Sequence, residues 1–148
     1  MTLKNIVEMH KVEIESDFNQ SDYIVSKVKN LESHVIDDIY DSSIMRMCIK
    51  YETFTAEAYK FLFEDKNISY NHPWRYTRYI AQNLNIDIKK EYKIAHECWD
   101  IYNTLKHVNS KTHIRRLNII SKYKLNDSRS VAEFVRKSLV NLMNKIVK

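Results

Sequence analysis

Residues 87–107 read DIKKEYKIAHECWDIYNTLKH. Ile88, Tyr92, Ala95, Trp99, Tyr102 and Leu105 recur there at three- and four-residue spacing, the period of one face of an α-helix, and Asp87 stands where a capping side chain would start it. A stripe of this kind buries one helix face and leaves the other to water. The fold therefore turns on how many such stripes the chain holds and whether turn residues for a sheet accompany them.

Working outward, the same pattern repeats. Pro73 suits the first turn of a helix over about 73–85, containing WRYTRYIAQNL. Towards the N-terminus, Ser21 is read as the cap of a helix over about 22–40, with Ile24, Val28, Leu31, Val35 and Ile39 as its stripe. Asp41-Ser42-Ser43 is read as a break, after which Ile44, Met47, Tyr51, Phe54, Ala58 and Phe61 continue a stripe to about residue 64. Towards the C-terminus, VNSKTHIRR is read as a polar connection and LNIISKY as a short helical piece. Asn126-Asp127-Ser128 then caps a last helix whose apolar positions are Val131, Val135, Leu139, Leu142 and Ile146. The first 20 residues fit neither period cleanly, since VEIE alternates as a strand would; they are read as a helical extension whose relation to the bundle is open.

The chain has 148 residues, no glycine and a single proline, so the residues that most hairpins and tight sheet turns depend on are missing. The expectation is an all-α, up-and-down bundle of about five helices in a single domain spanning 1–148, with 21–148 as the bundle. Cys48 and Cys98 lie far apart in apolar-periodic stretches with no ligand-spaced pair, which suits reduced core residues in a cytoplasmic protein. No run approaches the roughly 20 apolar residues of a membrane-spanning helix, so no membrane partner is expected.

Charge is distributed unevenly. Residues 1–70 hold 8 Lys/Arg against 13 Asp/Glu, whereas residues 71–148 hold 16 against 6. A basic half suggests a polyanionic partner, and an acidic partner protein or the acidic half of a second copy would satisfy the same field. Interleaved with these cations, Trp74, Arg75, Tyr76, Arg78 and Tyr79 have the composition of a surface that holds phosphates and stacks bases, although their helical spacing also suits core packing.

His96, Asp100, Asn103 and His107 fall at i, i+4, i+7 and i+11 of the quoted helix, along one polar edge beside the Trp99/Tyr102 stripe. A solvated polar edge satisfies that spacing, and so in principle does a divalent cation on His96, Asp100 and His107. No HExxH or CxxC pattern accompanies it, so no metal and no other cofactor is expected.

A further reading comes from likeness. The aromatic-rich YETFTAEAYKFLF of residues 51–63, a shorter helix after it and a following helix that ends in YNTLKH resemble the HEPN (higher eukaryotes and prokaryotes nucleotide-binding) superfamily. That resemblance implies a small helical bundle of the kind found in prokaryotic toxin–antitoxin and phage-defence systems, and a metal-independent ribonuclease motif of Arg, often Asn, then His. Asn103 and His107 match the motif, while Tyr102 stands where the Arg would be. The implied catalytic residues are His107, Asn103 and Tyr102, flanked by Lys106, Lys111, His113, Arg115 and Arg116 as nucleic-acid contacts. Because a phenol supplies no positive charge, the ribonuclease centre is expected to be weakened or absent. RNA is the expected partner, with a homodimer through the C-terminal helices. The competing expectation is a non-catalytic interaction module, such as an antitoxin, an immunity protein or a phage-encoded inhibitor.

Overall fold

The computed structural model describes residues 1–65, 67–107 and 110–147. Six helices account for most of them: α1 (Leu3–Lys27), α2 (Ser33–Phe63), α3 (Pro73–Leu84), α4 (Lys89–Lys106), α5 (Ser110–Lys122) and α6 (Ser128–Ile146), and among the described residues there is no strand. The architecture is the expected all-α bundle, with six helices instead of about five.

α2 is the central post. Tyr40, Ile44, Met47, Cys48, Tyr51, Phe54 and Ala58 are all buried along it, and α1, α3, α4 and α6 pack against it. α6 also touches α1 and α4, so Val131, Val135, Leu139, Leu142 and Ile146 are consumed inside the chain. Of the two uses open to that helix, it covers its own bundle; its apolar stripe is not left for a second copy. α5 packs chiefly on α4 and leaves Ile114 and Leu117 exposed.

The first 60 residues differ most from expectation. The N-terminal segment is no extension: α1 buries Ile6, Val7, Ile14 and Phe18, and Ser21, expected to be a cap, lies inside it with its hydroxyl donating to the Asp17 and Ile39 carbonyls. The true break falls at residues 28–32, where Asn30 adopts a left-handed conformation (φ 61°), a role asparagine fills because its short side chain tolerates that region. Asp41-Ser42-Ser43 is helical because its polar groups have tertiary partners: the Ser43 hydroxyl donates to the Asp17 carbonyl and Asp41 meets Arg116. The stripe read over 22–40 therefore spanned two helices, and Ile24 and Val28, expected in the core, are 45% and 49% exposed. Phe61 is likewise exposed. The expected connection 108–116 is corrected in its second part, which is the start of α5; residues 108 and 109, like Lys148 of the basic half, lie outside the described residues.

Elsewhere local signals and structure largely agree. Pro73 opens α3; Asp87, expected as the cap of α4, stands one residue before the actual N-cap, Ile88, and from there accepts the Lys89 amide (3.0 Å). Asp127 and Ser130 cap α6 reciprocally, each accepting the other's backbone N–H. Both cysteines are buried and free, and burial pushes the Cys98 thiol up to about 12, where it stays a thiol.

Polar groups pin the helices in register. The Thr77 hydroxyl donates to the Pro73 carbonyl (2.7 Å), so it accepts from the fully buried Tyr51 hydroxyl (2.7 Å) and ties α2 to α3. Asp22 on α1 takes a hydrogen bond from Tyr40 on α2 (2.6 Å) and two from Arg129 on α6 (2.9 and 2.8 Å), joining three helices at one carboxylate. Thr77→Val keeps the shape and strands the Tyr51 hydroxyl. It is expected to cost about 1–3 kcal/mol in urea unfolding; an unchanged midpoint would mean that the hydroxyl has another partner.

Candidate functional site

The inward stripe of α4 buries Ala95, Cys98, Ile101 and Tyr102, which turns Asn103 to a half-buried position at the edge and leaves Lys106 and His107 exposed at the end. His107 is the residue at which α4 stops: its amide donates to the Asn103 carbonyl (2.7 Å), but its backbone (φ −132°, ψ 97°) has left the helix. Helical spacing thus no longer governs where its imidazole points, and the helix that carries His96, Asp100 and Asn103 in a row ends one residue short of it. His96 stacks on Tyr92 (centroids 5.8 Å apart, 20°) and meets the Trp74 edge at 5.1 Å. Among the described residues no three His, Cys, Asp or Glu side chains form a group that could hold a metal ion.

Tyr102 belongs to the core. It is 2% exposed, packs against Trp99 (4.9 Å between centroids) and turns its hydroxyl to the Glu52 carboxylate of α2. Burial, then the Glu52 charge, pushes the phenol up to about 12, so it is a neutral donor that a base cannot reach to stack on. The Lys106 ammonium lies 4.8 Å from the same ring and also faces Glu52. Glu52, Tyr102 and Lys106 form a polar joint between α2 and α4 beside the candidate motif. Glu52 was missed in the sequence because a glutamate at the rim of an apolar stripe looks like any solvated one until its partner, 50 residues away, is known.

On α5, Lys111, His113 and Arg115 are exposed, whereas Arg116 is half-buried and its Nη2 lies 3.4 Å from Asp41 Oδ1. Burial raises the Asp41 carboxyl above its ordinary value, Arg116 opposes this, and Asp37 and Asp38 add to it. Similar pairings recur across the fold: Arg136 with Glu15, Arg129 with Asp22, Lys122 with Glu97, Lys145 with Glu91. Part of the basic half of the chain is thus spent on acids of the same molecule, and Lys111 and Arg115 are among the cations with no ion pair among the described residues. Grooves open between α4 and α6, lined by Lys90, Asn141 and Lys145 among others, and between the end of α3 and the start of α4; neither is lined by Asn103 or His107.

Comparison with known protein families, with curated proteins and with solved structures gave no match for this chain.

The Glu52 joint has a pH signature. Burial raises its carboxyl from the ordinary 4.5, and Lys106 and Tyr102 only partly reverse this. With the folded value raised, the stability gained by protonating Glu52 is complete below the unfolded value and is lost as pH rises through the folded one. Glu52→Gln is therefore expected to match the wild type in melting temperature near pH 4 and to exceed it at pH 7. A wild type that is the more stable protein at pH 7 would show that pairing with Lys106 outweighs burial.

Proposed function

We propose that this chain is a HEPN-like RNA-binding bundle in which the end of α4 and the exposed cations of α5 hold the phosphate backbone and the ribonuclease centre around His107 is weakened or lost. One observation carries the reading: Lys111 and Arg115 stay exposed without an ion pair among the described residues, on the helix that follows Lys106 and His107, in a protein that pairs part of its other cations internally. Their field favours a polyanion over a neutral partner. Lys106, Lys111, His113 and Arg115 are the proposed phosphate contacts, with Arg116 contributing in part because Asp41 already engages it.

Metal-free cleavage of RNA needs a base for the 2′-hydroxyl proton, an acid for the leaving oxygen and a cation for the growing phosphate charge. His107 and Asn103 are the proposed proton-transfer and orienting groups. Tyr102 is buried and neutral, so it cannot be the cation. Losing that charge costs on the order of 3 kcal/mol, or about two powers of ten in rate, which supports a binding protein over an efficient nuclease.

A second reading has its own observation. Ile114 and Leu117, 57% and 51% exposed, lie among the α5 cations and would give an acidic protein partner an apolar contact that phosphates do not use. An antitoxin, immunity protein or phage-encoded inhibitor fits that description.

An electrophoretic mobility series across salt separates the two. For the RNA reading, wild-type affinity for single-stranded RNA falls steeply with salt, and Lys111→Ala with Arg115→Ala flattens the log–log slope by about 1.4. His107→Ala leaves binding intact and removes any slow cleavage. No retention of RNA at about 50 mM salt sinks the RNA reading and leaves the interaction module.

A further inference from the structure

Sequence composition offered Trp74, Tyr76 and Tyr79 as base-stacking candidates, and Trp74 and Tyr76 are turned inward: Tyr76 is 7% exposed and Trp74 packs among Tyr51, Tyr92 and Trp99. The rings that reach the surface lie beside them, where the end of α2 meets α3. Tyr59 stacks on Tyr76 (4.4 Å between centroids, 21°) on one side and on Phe63 (4.6 Å, 28°) on the other. The inner end of this column is fixed, because the Tyr76 hydroxyl accepts the Ser69 amide at 2.9 Å. The outer end is open: Phe63 is 39% exposed, and Tyr79, 6.1 Å from Tyr59, is 37% exposed. Arg75 lies over Tyr79, with its guanidinium carbon 5.9 Å from the ring centroid and Nε donating to the hydroxyl (3.4 Å).

We infer that this column is a base-stacking platform for single-stranded RNA, with a nucleobase continuing the stack on Phe63 or beside Tyr79 and its phosphates held by Arg75, Arg78 and Lys60. The inference rests on the RNA-binding reading above and adds a second contact region on a different face. Three features select this occupant. Parallel rings at stacking distance that end in an exposed ring suit a planar aromatic ligand, while scattered surface aromatics are ordinary. Arg75, Arg78 and Lys60 are all exposed, and none forms an ion pair among the described residues, so the platform is flanked by cations complementary to a phosphate chain. Duplexes hide their base faces, which leaves single strands as the class that can use it. Glu64 and Asp65 follow Phe63 directly, so the favourable path for the strand runs along α3 and away from that end of α2.

The test uses fluorescence anisotropy at low salt with two labelled probes of one length, a single-stranded oligouridine and its abasic counterpart. The wild type is expected to bind the oligouridine about tenfold more tightly than the abasic strand. Phe63→Leu with Tyr79→Leu keeps apolar volume and removes the π-faces, and should lose that preference while retaining both its circular dichroism and its affinity for the abasic strand. Lys111→Ala with Arg115→Ala should weaken both probes equally and keep the preference. The platform is overturned if the wild type binds both probes alike, or if the leucine variant keeps the preference. Absence of wild-type binding to either probe overturns the underlying RNA reading instead, and the platform with it.

Discussion

Everything in this bundle leans on the burial of α2. A 31-residue helix runs about 46 Å, longer than its neighbours, and four of the other five helices lie against it. Its middle, from Tyr40 to Ala58, buries small and large apolar groups on more than one side. Such a helix cannot be stable alone in water, so its partners must fold with it as one unit. The polar pins follow from that demand. Tyr51, Ser43 and Tyr40 carry hydroxyls into the interior, and each finds an acceptor on another helix: Thr77 on α3, and the Asp17 carbonyl and Asp22 carboxylate on α1. Burial and register are thereby settled together, since a slip of one turn would leave those donors dry and unpaired.

The electrostatic polarity of the sequence becomes an intramolecular complement in the fold. An acidic first half and a basic second half look, on paper, like a protein that needs a charged partner. In space α6 lies along α1, and Arg129 and Arg136 reach Asp22 and Glu15. Individually such pairs add little stability at the surface. Together they offset part of the basic field, so where the cations without an ion pair among the described residues sit, on α3, α4 and α5, carries more information about partners than the net charge does.

How legible the fold was depended on whether a signal was local. Pro73, Asp87 and Asp127 announce their helices through groups within three residues, and α3, α4 and α6 start within about two residues of where those signals point. The boundary between α1 and α2 was misread because serine and aspartate serve equally as caps and as donors to a distant carbonyl, and Ser21 and Ser43 do the second. The candidate site divides the same way. That Tyr102 faces inward while Asn103 sits at the edge follows from helical period alone. That Arg116 is engaged by Asp41, 75 residues away, and that His107 has left the helix were invisible, because they depend on tertiary pairing and on the residue at which a helix ends.

The missing glycines leave a mark on the backbone. Among the described residues, four helix-to-turn transitions use the left-handed region, at Asn30, Glu64, Asn85 and Lys124, each with φ between 52° and 61°. Asparagine enters that region at modest cost, whereas Glu64 and Lys124 each carry strain of about 1–2 kcal/mol that glycine would not. Glu64 lies one residue beyond the exposed ring of the aromatic column, and Lys124 joins α5 to α6. Strain of this kind lowers the free energy of local opening at the joints while leaving the α2 core untouched. Amide exchange in this bundle should therefore be graded from its corners inward, with the aromatic end of α2 and the junction after α5 opening well before the centre.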